Sequence, residues 1–110
     1  DRLKELGIKA SEITLTGGGS SSASWRQMIA DICDVPTRVC TNVEGAAFGA
    51  ALQALQLLEP SSSIEDIAHD HIIFDRAKGA HPNIDNVARY QDYYQRYQNY
   101  VSALRPLYEA

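Results

Sequence analysis

The sequence is poor in the features that mark several large classes of protein. Only two of its 110 residues are cysteine, Cys33 and Cys40, and no Cys-Xaa-Xaa-Cys pair occurs. That argues against a disulfide-stapled secreted scaffold, a zinc ribbon and a thioredoxin-type redox motif. Both cysteines read as reduced core residues. No apolar run approaches the roughly 18 residues of a membrane-crossing helix. Positive charge is also scarce: 10 Lys and Arg against 14 Asp and Glu leave a net charge of −4. A nucleic-acid arm or a polybasic membrane anchor needs the opposite balance, so neither partner is expected. Histidine is limited to His69, His71 and His81. The first two are too close in sequence to share a helical face, and no cysteine or carboxylate cluster completes a site, so no metal ligands are expected. Asp66 and Asp70 lie four apart but lack a third partner. The serines at 20–22 lack a positioned base. The opening residues carry no secretory signal pattern, and the expected location is cytoplasmic.

What is present is an ordinary globular composition, 45% hydrophobic and 22% charged, in a length suited to one domain with a modest core. The chain opens on Asp1-Arg2-Leu3-Lys4-Glu5-Leu6-Gly7, which reads as the last turns of a helix closed by glycine. A start inside an element and without Met suggests a piece of a longer protein. Residues 12–16 alternate polar and apolar with β-branched side chains, a strand pattern. Three glycines, Gly17, Gly18 and Gly19, stop it, and Ser20, Ser21 and Ser22 offer N-caps for a helix running to about Asp34. The apolar positions of that helix are Trp25, Met28, Ile29, Ile32 and Cys33. Pro36 ends it, and residues 37–41 read as a second short strand. A helix rich in small residues spans 45–58, and Pro60 with three serines breaks it off. A short helix is expected over 64–69, capped by Ser62 or Ser63, then a short strand at 72–74 and a last helix from about Asn83 to Ala110. Strand, helix, strand, helix over the first sixty residues predicts an α/β layer.

The glycine turn is the most informative local feature. Glycines let backbone turn sharply and let a ligand lie directly on the main chain. The helix start that follows offers free N–H groups and partial positive charge, which suit a phosphate. The turn is not a Walker A loop, because no Gly-Lys-Ser/Thr follows. It is a poor dinucleotide fingerprint, because Ser22 stands at the third glycine position and no acidic residue lies suitably beyond. A plain strand-to-helix turn remains the alternative. In the helix at 45–58, Gly45 and Gly49 share a face. Each costs about 1 kcal/mol relative to Ala, which points to close packing or a close ligand. Glu44 stands where it would favour the helix dipole and cap the helix start. Late in the chain, Val87, Tyr90, Tyr94, Tyr97, Val101, Leu104 and Tyr108 form a helical stripe. It reads as a helix packed on the domain, with a homodimer or partner surface as the sharper alternative.

Residues 14–31, running Thr14-Leu15-Thr16-Gly17-Gly18-Gly19-Ser20-Ser21-Ser22-Ala23-Ser24-Trp25-Arg26-Gln27-Met28-Ile29-Ala30-Asp31, resemble the C-terminal domain of the FGGY carbohydrate kinases. Glu44-Gly45-Ala46-Ala47-Phe48-Gly49-Ala50-Ala51 resembles a second element of the same family, in register with the first. The resemblance covers residues 12–58 closely, and the rest of the chain is consistent with it. It implies part of a ribonuclease-H-like lobe of the actin, hexokinase and Hsp70 type, ending in a long helix. It implies ATP, with Mg2+, bound between two lobes, and phosphoryl transfer to a sugar hydroxyl. The catalytic Asp and most of the sugar site would lie in an N-terminal lobe absent here. Residues 1–110 would then be a C-terminal fragment on the nucleotide side, inactive alone. By the same resemblance Gly18, Gly19 and Ser20 would present backbone to the α-phosphate and ribose. Ala23, one turn into the helix, would border the adenine without hydrogen-bonding it. Trp25-Arg26-Gln27 favours a member acting on D-xylulose. Ribulose, glycerol, fuculose and gluconate kinases stay open as alternatives, as does a non-catalytic assembly domain of the same fold.

Overall fold

The computed structural model describes residues 5–42 and 44–108. Strand β1 (Ile13–Leu15) and strand β2 (Thr37–Val39) pair in parallel, with Ile13 opposite Thr37 and Leu15 opposite Val39. Parallel neighbours need a crossover, and helix α1 (Ala23–Cys33) supplies it. Both strands alternate in burial, with Thr37 and Val39 inward and Arg38 between them. Arg38 donates to Glu12 and Thr14, each at 2.9 Å, and lies 3.7 Å over the Phe74 ring. Each strand is shorter than its sequence pattern. Residues 72–74 form no strand: Phe74 makes one antiparallel bridge with Cys40, and Ala80 makes another with Thr37. This segment meets the open edge of β2 at two points and curves away between them, through a 3-10 turn at Arg76–Lys78.

Helix α1 ends where Asp34 takes a left-handed conformation (φ 54°, ψ 44°) and its N–H donates to the Ala30 carbonyl. Aspartate tolerates that conformation better than most residues, and Pro36 prevents any continuation. Helix α2 (Gly45–Leu58) packs against α3 (Ile64–His71), and Leu52 and Ile67 are the buried residues of the two. Ser63 caps α3: its hydroxyl accepts from the Asp66 amide and donates to the Asp66 carboxylate. Helix α4 (Ile84–Leu104) starts on an Asn83 cap and packs across α1.

Three expectations need correction. The inward side of α1 carries Arg26, Ala30 and Asp31, whereas Trp25 and Ile32 are about half exposed. The helix faces α4 and the glycine turn rather than a thick apolar layer, so polar groups line the contact. Second, α4 stops at Leu104, followed by a 3-10 turn at Arg105–Leu107 that contains Pro106. Residues 109–110 lie outside the described residues, as do 1–4 of the expected opening helix; Gly7 does have a positive φ of 76°. Third, the tyrosine stripe is packed only at its start. Val87 is buried and Tyr90 half-buried, but Tyr94, Tyr97, Val101, Leu104 and Tyr108 are all exposed. The packing against α1 is made by the early part of the helix, and these later side chains are largely open to solvent. Cys33 and Cys40 are free thiols, both half-buried.

Candidate functional site

The site is built on the turn between β1 and α1. Gly17 adopts φ 78° and ψ −178°, a region open essentially to glycine alone. Residues Gly18–Ser21 then form one 3-10 turn. The Gly17 carbonyl accepts from the Ser20 amide at 3.0 Å and the Ser20 hydroxyl at 2.7 Å. Ser22, not Ser20 or Ser21, is the α1 N-cap, accepting from the Trp25 amide at 3.3 Å. Arg26 turns back from α1 and donates Nη1 to the Ser20 carbonyl at 2.7 Å.

The residues singled out by the family resemblance divide accordingly. Gly18 and Gly19 are exposed. A Cβ on Gly18 would meet nothing within 4 Å, whereas one on Gly19 would lie 3.1 Å from the Trp25 indole nitrogen. Ser20 is 2% exposed, and its N–H, O–H and C=O are all engaged inside the protein. Its part in the turn is therefore support, and Gly18 and Gly19 are the backbone that faces outward. Ala23 opens α1 instead of standing a turn into it, and is exposed.

The second glycine segment comes to the same place. A Cβ on Gly45 would lie 2.7 Å from the Thr16 hydroxyl, so the start of α2 sits directly against the end of β1. Gly49 has open space around it, and close packing accounts for Gly45 alone. Glu44 is the exposed N-cap residue of α2 but makes no side-chain cap; its amide donates to the Asn42 side chain. The glycine turn and an uncapped helix start thus stand together, a combination that favours an anion. Among the described residues no group of three or more His, Cys, Asp or Glu could hold a metal ion.

Behind the turn, Asp31 anchors α4. It is 2% exposed, yet it accepts from the Asn83 amide (2.8 Å), the Gln27 side chain (2.8 Å) and the Asn86 side chain (2.9 Å). Burial alone would raise its pKa, but the Asn83, Asn86 and Gln27 donors outweigh it and hold the carboxyl below its ordinary value. Gln27 also donates to the His81 carbonyl at 2.8 Å. Sequence reasoning placed Gly17 in the glycine turn and Arg26 and Asp31 in the family motif, but gave none of the three a place in the site. The spacing of Gln27 and Asp31 was a usable signal, since residues four apart share a helical face.

Residues 1–57 match the model of the FGGY family of carbohydrate kinases, C-terminal domain. The chain belongs to that family. It is 36% identical over 104 residues to a xylulose kinase of Haemophilus influenzae, an alignment covering 94% of this chain and 21% of that protein. The crystal structure of ligand-bound xylulose kinase from Lactobacillus acidophilus superposes with a TM-score of 0.76 at 26% identity, over 89% of this chain and 20% of that one. A gluconate kinase from the same organism superposes equally well, at 26% identity over 90% of this chain and 20% of that one. The chain therefore spans about a fifth of the length of these kinases.

Proposed function

We propose that this FGGY chain is the C-terminal, nucleotide-side part of an ATP-dependent sugar kinase acting on D-xylulose in the cytoplasm. The observation that carries the nucleotide reading is the Thr16–Gly45 contact, which joins two glycine-marked segments far apart in sequence into one surface. In this reading the chain forms part of a ribonuclease-H-like lobe. Exposed Gly18 and Gly19 lie along the α-phosphate and ribose, while Ser20 holds them in place from within. Ala23 borders the adenine and offers no side-chain hydrogen bond, so the base is recognised by shape and backbone. Bound MgATP supplies the phosphoryl group and the metal charge that offsets its transfer. The residues of this chain orient the nucleotide, using unhindered backbone and the positive start of α2. The base that accepts the sugar proton and most of the sugar site belong to an N-terminal lobe outside these residues.

Hydrogen exchange on the complete kinase polypeptide tests the nucleotide site. MgATP should slow exchange at residues 17–25 and 44–47, and unchanged exchange there would leave a non-catalytic assembly role as the better reading. A coupled assay of ADP release tests the substrate. D-xylulose should give the highest kcat/KM, and the likeness to a gluconate kinase makes gluconate one competitor to assay beside it. A higher kcat/KM for gluconate would reassign the substrate and keep the kinase.

A further inference from the structure

We infer that Arg26 is a positioning residue for the nucleotide: its buried guanidinium holds the Ser20 carbonyl and so fixes the outward-facing Gly18–Gly19 backbone. The inference rests on the reading of residues 17–23 as the nucleotide turn. Three consecutive glycines give a segment with an unusually large loss of backbone entropy on ordering. An unbraced turn of this kind would be ordered by its ligand, and affinity would fall by that cost. Most of the braces here are local. The Ser20 amide and hydroxyl both return to Gly17, three residues back, and the Ser22 amide returns to Gly19. The Arg26 bond is different, because it ties the turn to the body of α1 from a side chain six residues away.

The placement of the guanidinium argues against simple filling of space. Arg26 is 9% exposed. Burying a charged group is costly, and an apolar side chain of similar volume often fills such a position with equal or better stability. What an apolar side chain lacks is a donor for the Ser20 carbonyl, and a charge-assisted bond of 2.7 Å is among the stronger kinds. The Arg26 charge is also felt, weakly, at Asp75. The Asp75 carboxyl is held below its ordinary pKa by hydrogen bonds from Lys78 and the Ala77 amide, with the charges of Lys78 and Arg26 adding to them. The bond to the Ser20 carbonyl is the contact that fixes the guanidinium.

The test uses the complete kinase polypeptide with Arg26→Met and Arg26→Lys. Met keeps an unbranched apolar stem and removes charge and donor, whereas Lys keeps the charge and a donor group. In the Met variant KM for ATP should rise about tenfold, the effect of one charge-assisted hydrogen bond, while KM for the sugar stays within about twofold. Exchange at residues 17–22 should quicken, with that of α4 unchanged. Lys should recover most of the lost affinity for ATP. An unchanged KM for ATP in the Met variant would overturn the inference. So would faster exchange in α4 as well as in the turn, which marks a purely structural role, or a Lys variant no better than Met. If MgATP fails to protect residues 17–25 in the unsubstituted protein, the nucleotide reading itself fails, and the two failures are distinguishable.

Discussion

At the scale of single residues, conformation separates three adjacent glycines that composition treats alike. Gly17 alone has a positive φ, and ψ near 180° puts it where a Cβ is not accommodated. Gly17→Ala should therefore cost about 1–3 kcal/mol, read as a lower urea midpoint at unchanged slope. Gly18→Ala meets open space without positive φ and should stay within about 1 kcal/mol. Equal losses at the two positions would contradict this account. Asp31 makes a second residue-level case. Its folded pKa lies below the ordinary carboxylate value, so the stabilisation is fully present above the unfolded pKa of about 3.9. It is lost as pH falls through the lower folded value. Asp31→Asn should therefore flatten the dependence of stability on pH below about pH 4, compared with the unsubstituted protein. Parallel curves for the two proteins would show that the carboxylate is not held as described.

At the scale of elements, β1, the glycine turn, α1, β2 and α2 were legible in the sequence, because each is marked by local chemistry. β-branched alternation, glycine, serine caps and proline act over a few residues and need no tertiary context. Inward and outward faces were less legible. Periodicity pointed to Trp25 and Ile32, yet the packed side of α1 holds Arg26 and Asp31, whose partners come from Ser20, Asn83 and Asn86. Hydrophobic patterning carries no information about a polar contact made across 50 residues of chain. Gly45 lies between these cases: its small size was readable, but the neighbour that requires it was not. That neighbour, Thr16, has a stiff β-branched side chain. Gly45→Ala should therefore destabilise the protein in the presence of Thr16, and much less in the Thr16→Ala background. A double-mutant cycle should give a coupling of about 1–2 kcal/mol, and additivity would mean that the contact is not close.

At the scale of the molecule, the radius of gyration is 18.5 Å, with extents of 55 × 38 × 27 Å. A compact domain of this length would be near 13 Å. The buried hydrophobic residues among those described are Ala30, Val39, Leu52, Ile67 and Val87, while Leu57, Leu58, Ile84 and Tyr108 are each at least 80% exposed. So open a shape leaves apolar surface in water. We expect the 110-residue chain alone to bind an apolar dye, to associate as concentration rises, and to release no ADP with MgATP and D-xylulose. A monodisperse, dye-silent monomer would show that this surface is less accessible than described. The Asp31 anchor bears on the order in which the chain folds. Its donors Asn83 and Asn86 are 52 and 55 residues away, so they can reach it only after a long loop has closed, at an entropic cost. The bonds of the glycine turn span six residues or fewer. The glycine turn should then be shaped early and α4 docked late. In kinetic terms, replacing Asn86 should accelerate unfolding far more than it slows folding.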